Sequence, residues 1–381
     1  MNHSDSKDFS GERFRVTYHL RGSNVQARSV AHELCIEQTV EFPEDLIHQP
    51  WIRDHVFGRI ESLQPVADEP EPTWAAVLSY AVETAGQELT QLLNVIYGNF
   101  SLKPGVRVQH LDLSPQIVKP YVGPRFGVAG LRQLLRVPQR PVLATAIKPM
   151  GLGGIDLAAM AGQLALGGMD IIKDDHGLAD QSFGHYAERV ARCAEAVQQA
   201  CAKTGEVCLY APNVAARFDQ VLQRAHFAKQ CGAGALLVAP GLVGWDTMRA
   251  LAEDDTLGLP IFAHPALTGA FVAERSHGLA HGVVFGQLAR LAGADVSIFP
   301  HVGGRFAFSA RDCSEIAEHC AARFHHLAPI LPAPAGGMSV NRSAEMRAFY
   351  GNDVVLLVGG DLHRNGGDLV ANGRHFRALV E

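Results

Sequence analysis

The segment Gly167-Gly168-Met169-Asp170-Ile171-Ile172-Lys173-Asp174-Asp175-His176 runs from apolar residues straight into a lysine, two aspartates and a histidine, with no turn residue between. An apolar run that stops on charges reads as a buried strand delivering those charges at its C-terminal end. In a parallel α/β protein that is the edge where chemistry is placed. Strand alternation sends Asp174 to the face opposite Lys173 and Asp175. A buried lysine left uncompensated is costly. A carboxylate and an imidazole beside it point to a divalent ion, with Lys173 either a counter-charge or chemically modified.

The elements that position this cluster repeat. From residue 140 onward, short apolar runs alternate with helix-period sequence, at 142–147, 169–172, 207–210, 235–238, 260–263, 296–299, 329–331 and 354–358. Eight such units over roughly 240 residues predict a (β/α)8 barrel, close to the usual ~250. The predicted strand ends are heavily loaded. Strand one ends in Lys148, strand two in Lys173, Asp175 and His176, strand three in Asn213, strand five in His264 and strand six in His301. A single lysine or histidine after an apolar run is ordinarily a packing or surface residue. Five of eight ends so equipped are hard to obtain from packing alone and point to catalysis. Strands seven and eight run into Gly336-Gly337 and Gly359-Gly360, where barrels commonly bind phosphate through backbone N–H groups. A dinucleotide fold is excluded at residues 142–174, because Gly151-Leu152-Gly153-Gly154 is not G-x-G-x-x-G and six further units follow.

Residues 14–137 follow another plan. Alternation at 14–20 and 106–113 and the apolar run at 75–83 predict strands, helical spacing at 25–35 and 89–97 predicts helices, and Asp68-Glu69-Pro70-Glu71-Pro72 reads as a loop. The expected organisation is a flexible tail (1–13), an α+β domain of ferredoxin-like type (14–137) with a Pro/Gly-rich passage at 115–141, and the α/β catalytic barrel (138–381). An apolar content of 47% with 19% charged residues is that of a globular protein. A net charge of −6 without a basic stripe argues against nucleic acid, and no apolar run approaches the ~20 residues of a membrane span. Seven scattered cysteines with no C-x-x-C pair suit a reducing cytoplasm.

With these motifs in place, the chain resembles the large subunit of ribulose-bisphosphate carboxylase (RuBisCO), and more closely the RuBisCO-like proteins that do not fix carbon dioxide. The family's strand-two motif G-G-x-D-x-x-K-D-D-E stands here at 167–176, and its T-I-K-P as Ala146-Ile147-Lys148-Pro149. Its T-W, G-N and G-P-x-x-G correspond to Thr73-Trp74, Gly98-Asn99 and Gly123 to Gly127, and its two phosphate segments to Ala335-Gly336-Gly337 and Val358-Gly359-Gly360. The resemblance implies a homodimer, or a multiple of dimers, in which the small domain of one chain covers the barrel mouth of the other. It implies a Lys173 carbamylated by CO2 that binds Mg²⁺ with Asp175 and the next position. Lys148 would act on the enolised carbonyl, His264 and His301 would contact substrate, and Asn99, Asn213, Arg305 and the glycine pairs would bind a small phosphorylated sugar-derived substrate.

The departures narrow the chemistry. Met150 replaces the second lysine of K-P-K, Pro265 replaces the arginine after the strand-five histidine, and the strand-six loop at 302–309 carries Arg305 but no lysine, so carboxylation is not expected. His176 stands where the family has a glutamate ligand. Carbamate, aspartate and neutral histidine together carry about −2, so a divalent ion brings the site near neutrality, which suits an anionic substrate group; imidazole also leaves Mn²⁺ or Zn²⁺ open. The expected activity is metal-assisted enolate chemistry. Decarboxylation of a 3-oxo sugar-acid phosphate, as in a 3-oxo-isoapionate-4-phosphate decarboxylase, is preferred because it needs no carbon base. Isomerisation of a methylthio-ribulose phosphate or enolisation of a diketo-methylthiopentyl phosphate is the alternative, and a catalytically inactive phosphometabolite-binding protein the third.

Overall fold

The computed structural model describes residues 9–364 and 366–381, which divide into two compact units. The first holds the described residues up to Tyr121 together with Gly269–Val284; the second holds Val122–Thr268 and Phe285–Glu381.

In the first unit, alternation in β1 (Arg13–Arg21) buries Phe14, Val16, Tyr18 and Leu20. Ser23 starts the following helix, Asn24–Glu37, by accepting from Gln26 N while its own N–H donates to Gln26 Oε1. Strands β2 (Arg59–Pro65) and β3 (Thr73–Ala81), the helix Leu89–Tyr97 and strand β4 (Val106–Asp112) complete a β-α-β-β-α-β chain. Their antiparallel order β4-β1-β3-β2 is the ferredoxin-like arrangement, and Gly278–Leu279 adds a short parallel strand beside β4. Strand β2 left little trace in the sequence because it is an edge strand that buries almost nothing.

The second unit is the barrel. Its strands one to eight are Val142–Ile147, Ile171–Asp174, Leu209–Ala211, Leu236–Val238, Ile261–Ala263, Val296–Pro300, Leu331–Ala335 and Val355–Leu357. Parallel ladders join one to two, two to three, four to five, five to six, six to seven and eight back to one. A bridge between Asn213 and Leu237 links three to four, and seven lies beside eight. Strand seven falls later than the spacing predicted, because Pro332 and Pro334 disguise it and withhold N–H groups. The passage at 115–141 contains two helices, Pro115–Val118 and Gly127–Leu135, and Leu131, Leu135 and Val137 join the barrel core. Asp295 ties the lower end together, accepting from Phe126 N, Gly127 N and Ile261 N at 2.7, 2.7 and 3.0 Å. Among the described residues, no helix is long and apolar enough to cross a membrane.

That core takes alternate residues from all eight strands: Val142 and Ala144, Ile171, Leu209 and Ala211, Ala235 and Leu237, Phe262, Val296 and Ile298, Leu331 and Ala333, Val355 and Leu357. Continued upward by twos, the inward phase reaches Lys148, Lys173, Asp175, Asn213 and His264. His301 falls in the opposite phase. The period that fills the barrel therefore also decides which strand-end residues face one another.

Candidate active site

Lys173 is 3% exposed, and its Nζ donates to the Asp174 backbone carbonyl at 3.0 Å. Burial brings its amine down to about 8, helped by Lys148 and opposed by Asp175 and Asp174. Asp175 Oδ1 lies 3.3 Å from Lys148 Nζ and 3.5 Å from His176 Nδ1. Burial would raise the Asp175 carboxyl, but the His176 contact and the two lysine charges outweigh it and hold it well below the usual range. Two lysines thus share one carboxylate.

Asp174 turns away, as alternation requires. It is wholly buried, paired with Arg189 Nε at 3.2 Å, and accepts from Tyr210 OH at 2.6 Å and Asn213 N at 3.0 Å. Asn213 holds the loop above: its amide donates to the carbonyls of His176 and Leu178, both at 3.0 Å, and accepts from Ala215 N. In this arrangement Asn213 braces the segment that carries His176.

His264 Nδ1 accepts from Ala266 N at 3.2 Å, which assigns the ring proton to Nε2. Burial, with Lys173 and His176 nearby, keeps this imidazole neutral. His264 is therefore placed to donate from Nε2 to a developing oxyanion. Its ring stacks on His176 at 4.5 Å and 14°, so the in-plane nitrogens of the two rings run parallel and do not converge on one ion.

Among the described residues, no three His, Cys, Asp or Glu side chains form a ready-made metal group. The missing ligand is one that Lys173 can supply. As a free amine it leaves Lys148, Lys173 and Asp175 at about +1; as a carbamate the same three carry about −1 and present oxygen donors beside Asp175 and His176. The residues fit such an ion when Lys173 is carbamylated.

The loop after strand six folds over the glycines of strand seven. Arg305 N donates to Gly336 O at 2.8 Å. Gly336 and Gly337 have φ of +83° and +101°, and a Cβ on them would meet the Phe306 ring at 3.2 Å and Arg305 Cγ at 3.1 Å. Only glycine suits both positions. Lys148 passes over Gly359, its Cε 3.7 Å from where a Cβ would stand, and Gly360 opens the turn Gly360–His363. His301, 1% exposed, has its Nδ1 2.8 Å from Tyr350 OH and its ring edge-on to Phe349 and tilted against Tyr350. Burial and Arg342 keep it neutral. Asn99 lies in the first unit, where its amide donates to Glu37 and Glu41, each at 3.0 Å.

The structure thus gathers Lys148, Lys173, Asp175, His176, His264 and Gly359, and separately Arg305, Gly336 and Gly337. Tyr350, Arg342 and His363 escaped the sequence reading. Arg342 precedes and Tyr350 ends the helix Ser343–Tyr350, and only the three-dimensional packing brings both to bear on His301. His363 had a weak signal, a histidine four residues after a strand-end glycine.

Residues 127–306 match the family described as "Ribulose bisphosphate carboxylase large chain, catalytic domain". The chain is 39% identical over 369 residues to ribulose bisphosphate carboxylase-like protein 1 of Rhodopseudomonas palustris, covering 97% of this chain and 98% of that one. It is 36% identical over 353 residues to a 5-methylthioribulose-1-phosphate isomerase of Rhodospirillum rubrum, covering 92% and 91%. Other relatives are named 2,3-diketo-5-methylthiopentyl-1-phosphate enolases. The crystal structure of a Rubisco-like protein from Rhodopseudomonas palustris superposes with a TM-score of 0.86 at 37% identity over 97% of both chains. On this identity across nearly its whole length, the chain belongs to the RuBisCO-like proteins of the ribulose bisphosphate carboxylase large-chain family.

Proposed function

We propose that the chain is an enzyme that enolises a phosphorylated keto-sugar, with isomerisation of a 5-methylthioribulose-1-phosphate-like substrate as its reaction. The observation that carries this reading is the inward phase of the barrel: two lysines, a carboxylate and a neutral imidazole converge where the eight strands end. A divalent ion held by carbamylated Lys173, Asp175 and His176 would supply Lewis-acid polarisation of the substrate carbonyl. Around it, Lys148 moves the proton at the carbon next to that carbonyl, and His264 Nε2 donates to the oxyanion that develops. Arg305 and the Gly336-Gly337 and Gly359-Gly360 backbones hold the phosphate.

Two features favour this substrate over a sugar acid. The relatives with a named activity support methylthio-sugar chemistry rather than the decarboxylation expected from the sequence. Met150 and Phe306 are also exposed apolar side chains on the loops after strands one and six, suited to an apolar substituent. Ile155, Phe183, Leu242 and Leu267, in the segments that follow strands one, two, four and five, are likewise exposed and apolar, which supports a mouth covered by a second copy of the chain. Met150, Pro265 and the lysine-free loop at 302–309, which lack the family's basic residues, keep one rival reading, a phosphometabolite-binding protein without catalysis. The test is a product analysis with Mg²⁺ and bicarbonate. The panel comprises 5-methylthioribulose 1-phosphate, 2,3-diketo-5-methylthiopentyl 1-phosphate and a 3-oxo sugar-acid phosphate. Isomer from the first supports the proposal; carbon dioxide from the third alone replaces it with decarboxylation; binding without product supports the rival.

A further inference from the structure

Among the described residues, His301 and His363 each keep a ring Nε2 that is shut off from water without a hydrogen-bond partner. His301 is engaged through its other nitrogen by Tyr350. His363 closes the turn Gly360–His363 after strand eight, and the turn is fixed at two points: Asp361 Oδ2 accepts from Val340 N at 2.9 Å, and Leu362 O accepts from Asn372 Nδ2 at 3.0 Å. The backbone that carries the ring is therefore held. An unpaired buried nitrogen is destabilising, and an apolar side chain of similar size would serve stability better. Such a group asks for a function.

Lys148 is the charge that bears on this ring. Burial, together with the Lys148 charge, keeps the His363 imidazole neutral, so it offers a lone pair rather than a competing cation. The lysine's end carbon and Nζ pass 3.7 and 3.8 Å from where a Gly359 Cβ would stand, and a bulkier side chain there would intrude on the lysine. In the structure Lys148 leans on Asp175. A lysine held only by that carboxylate has no defined position once Asp175 turns to another partner.

We propose that His363 is a positioning residue for Lys148, its Nε2 accepting a hydrogen bond from Nζ when the lysine leaves Asp175 for the substrate. This rests on the reading of Lys148 as the proton-transfer residue. The test compares His363→Leu, His363→Gln and Lys148→Ala with the unaltered protein, using 5-methylthioribulose 1-phosphate with Mg²⁺ and bicarbonate, and thermal melting without substrate. The Leu variant should lose about 10- to 100-fold in kcat with KM within about twofold, since small misplacements of a reacting group have effects of this order. It should melt no lower than the unaltered protein, and Gln, which restores a hydrogen-bonding end group, should recover most of the rate. A Leu variant with full kcat beside an inactive Lys148→Ala overturns the inference. So does a Leu variant that melts several degrees lower, whatever the probe, because the ring then serves the fold. Full turnover by Lys148→Ala would instead remove the proposed function itself, and this inference with it.

Discussion

Replacing Lys173 with methionine should stabilise the protein. Lys173 is 3% exposed, its Nζ donates to a backbone carbonyl, and burial lowers its amine to about 8 from an ordinary 10.5. The folded chain therefore holds that proton about 2.5 units less tightly than the unfolded chain. At about 1.36 kcal/mol per unit this is a cost of about 3 kcal/mol. Because the folded value lies below the unfolded one, the cost is complete below about pH 8, shrinks as the pH rises, and vanishes above about 10.5, where both states are neutral. Methionine matches the stem without the charge, and Asp175 keeps Lys148 and His176 as partners. The variant should thus gain about 2–3 kcal/mol near neutral pH, with the gap closing toward pH 10. Urea unfolding across that range, without bicarbonate, measures it at constant slope. A variant that is less stable at neutral pH, with a gap independent of pH, would show Lys173 to be a satisfied counter-charge of Asp175 and would refute the reasoning. The same shift makes the amine neutral in about one molecule in ten near pH 7, against about one in three thousand for an ordinary lysine, and the neutral amine is the form that adds CO2.

Removing the Asp174 carboxylate by Asp174→Ala leaves a fully buried Arg189 unpaired and should cost about 3–5 kcal/mol, read as a lower urea midpoint. Replacing His176 with glutamate exchanges an imidazole donor for oxygen, so metal titration should show Mg²⁺ affinity rising relative to Zn²⁺; an unchanged ratio would take His176 out of the ion site. Gly337→Ala places a Cβ 3.1 Å from Arg305 Cγ at a φ of +101°, and inorganic phosphate binding by calorimetry should weaken about tenfold while the fold persists.

The barrel was legible because its signal is repetitive: eight apolar runs each buried on both faces, with helices between. The loaded strand ends brought Lys148, Lys173, Asp175 and His264 together on paper, along with Asn213 and His301, and period 2 set Asp174 apart. The rest depended on packing. The turn of Asp174 toward Arg189 and Tyr210 joins residues 15 and 36 positions away, and no local pattern announces such a partner. Asn213 was legible as a strand end, but not that both its amide donors are used on carbonyls of the neighbouring loop. Strand β2 buries too little apolar surface to mark its place, and the segment Gly269–Val284 joins the first unit through partners far away in sequence, which no local pattern announces.

The central claim is that this mouth forms an enolate at the carbon beside a substrate carbonyl, and solvent exchange at that carbon measures it most directly. In D2O, 5-methylthioribulose 1-phosphate should take up deuterium there with the unaltered protein when Mg²⁺ and bicarbonate are both present, much less when either is withheld, and not at all with Lys148→Ala. Exchange that is undiminished in Lys148→Ala, or absent from the unaltered protein under every condition, would contradict the account.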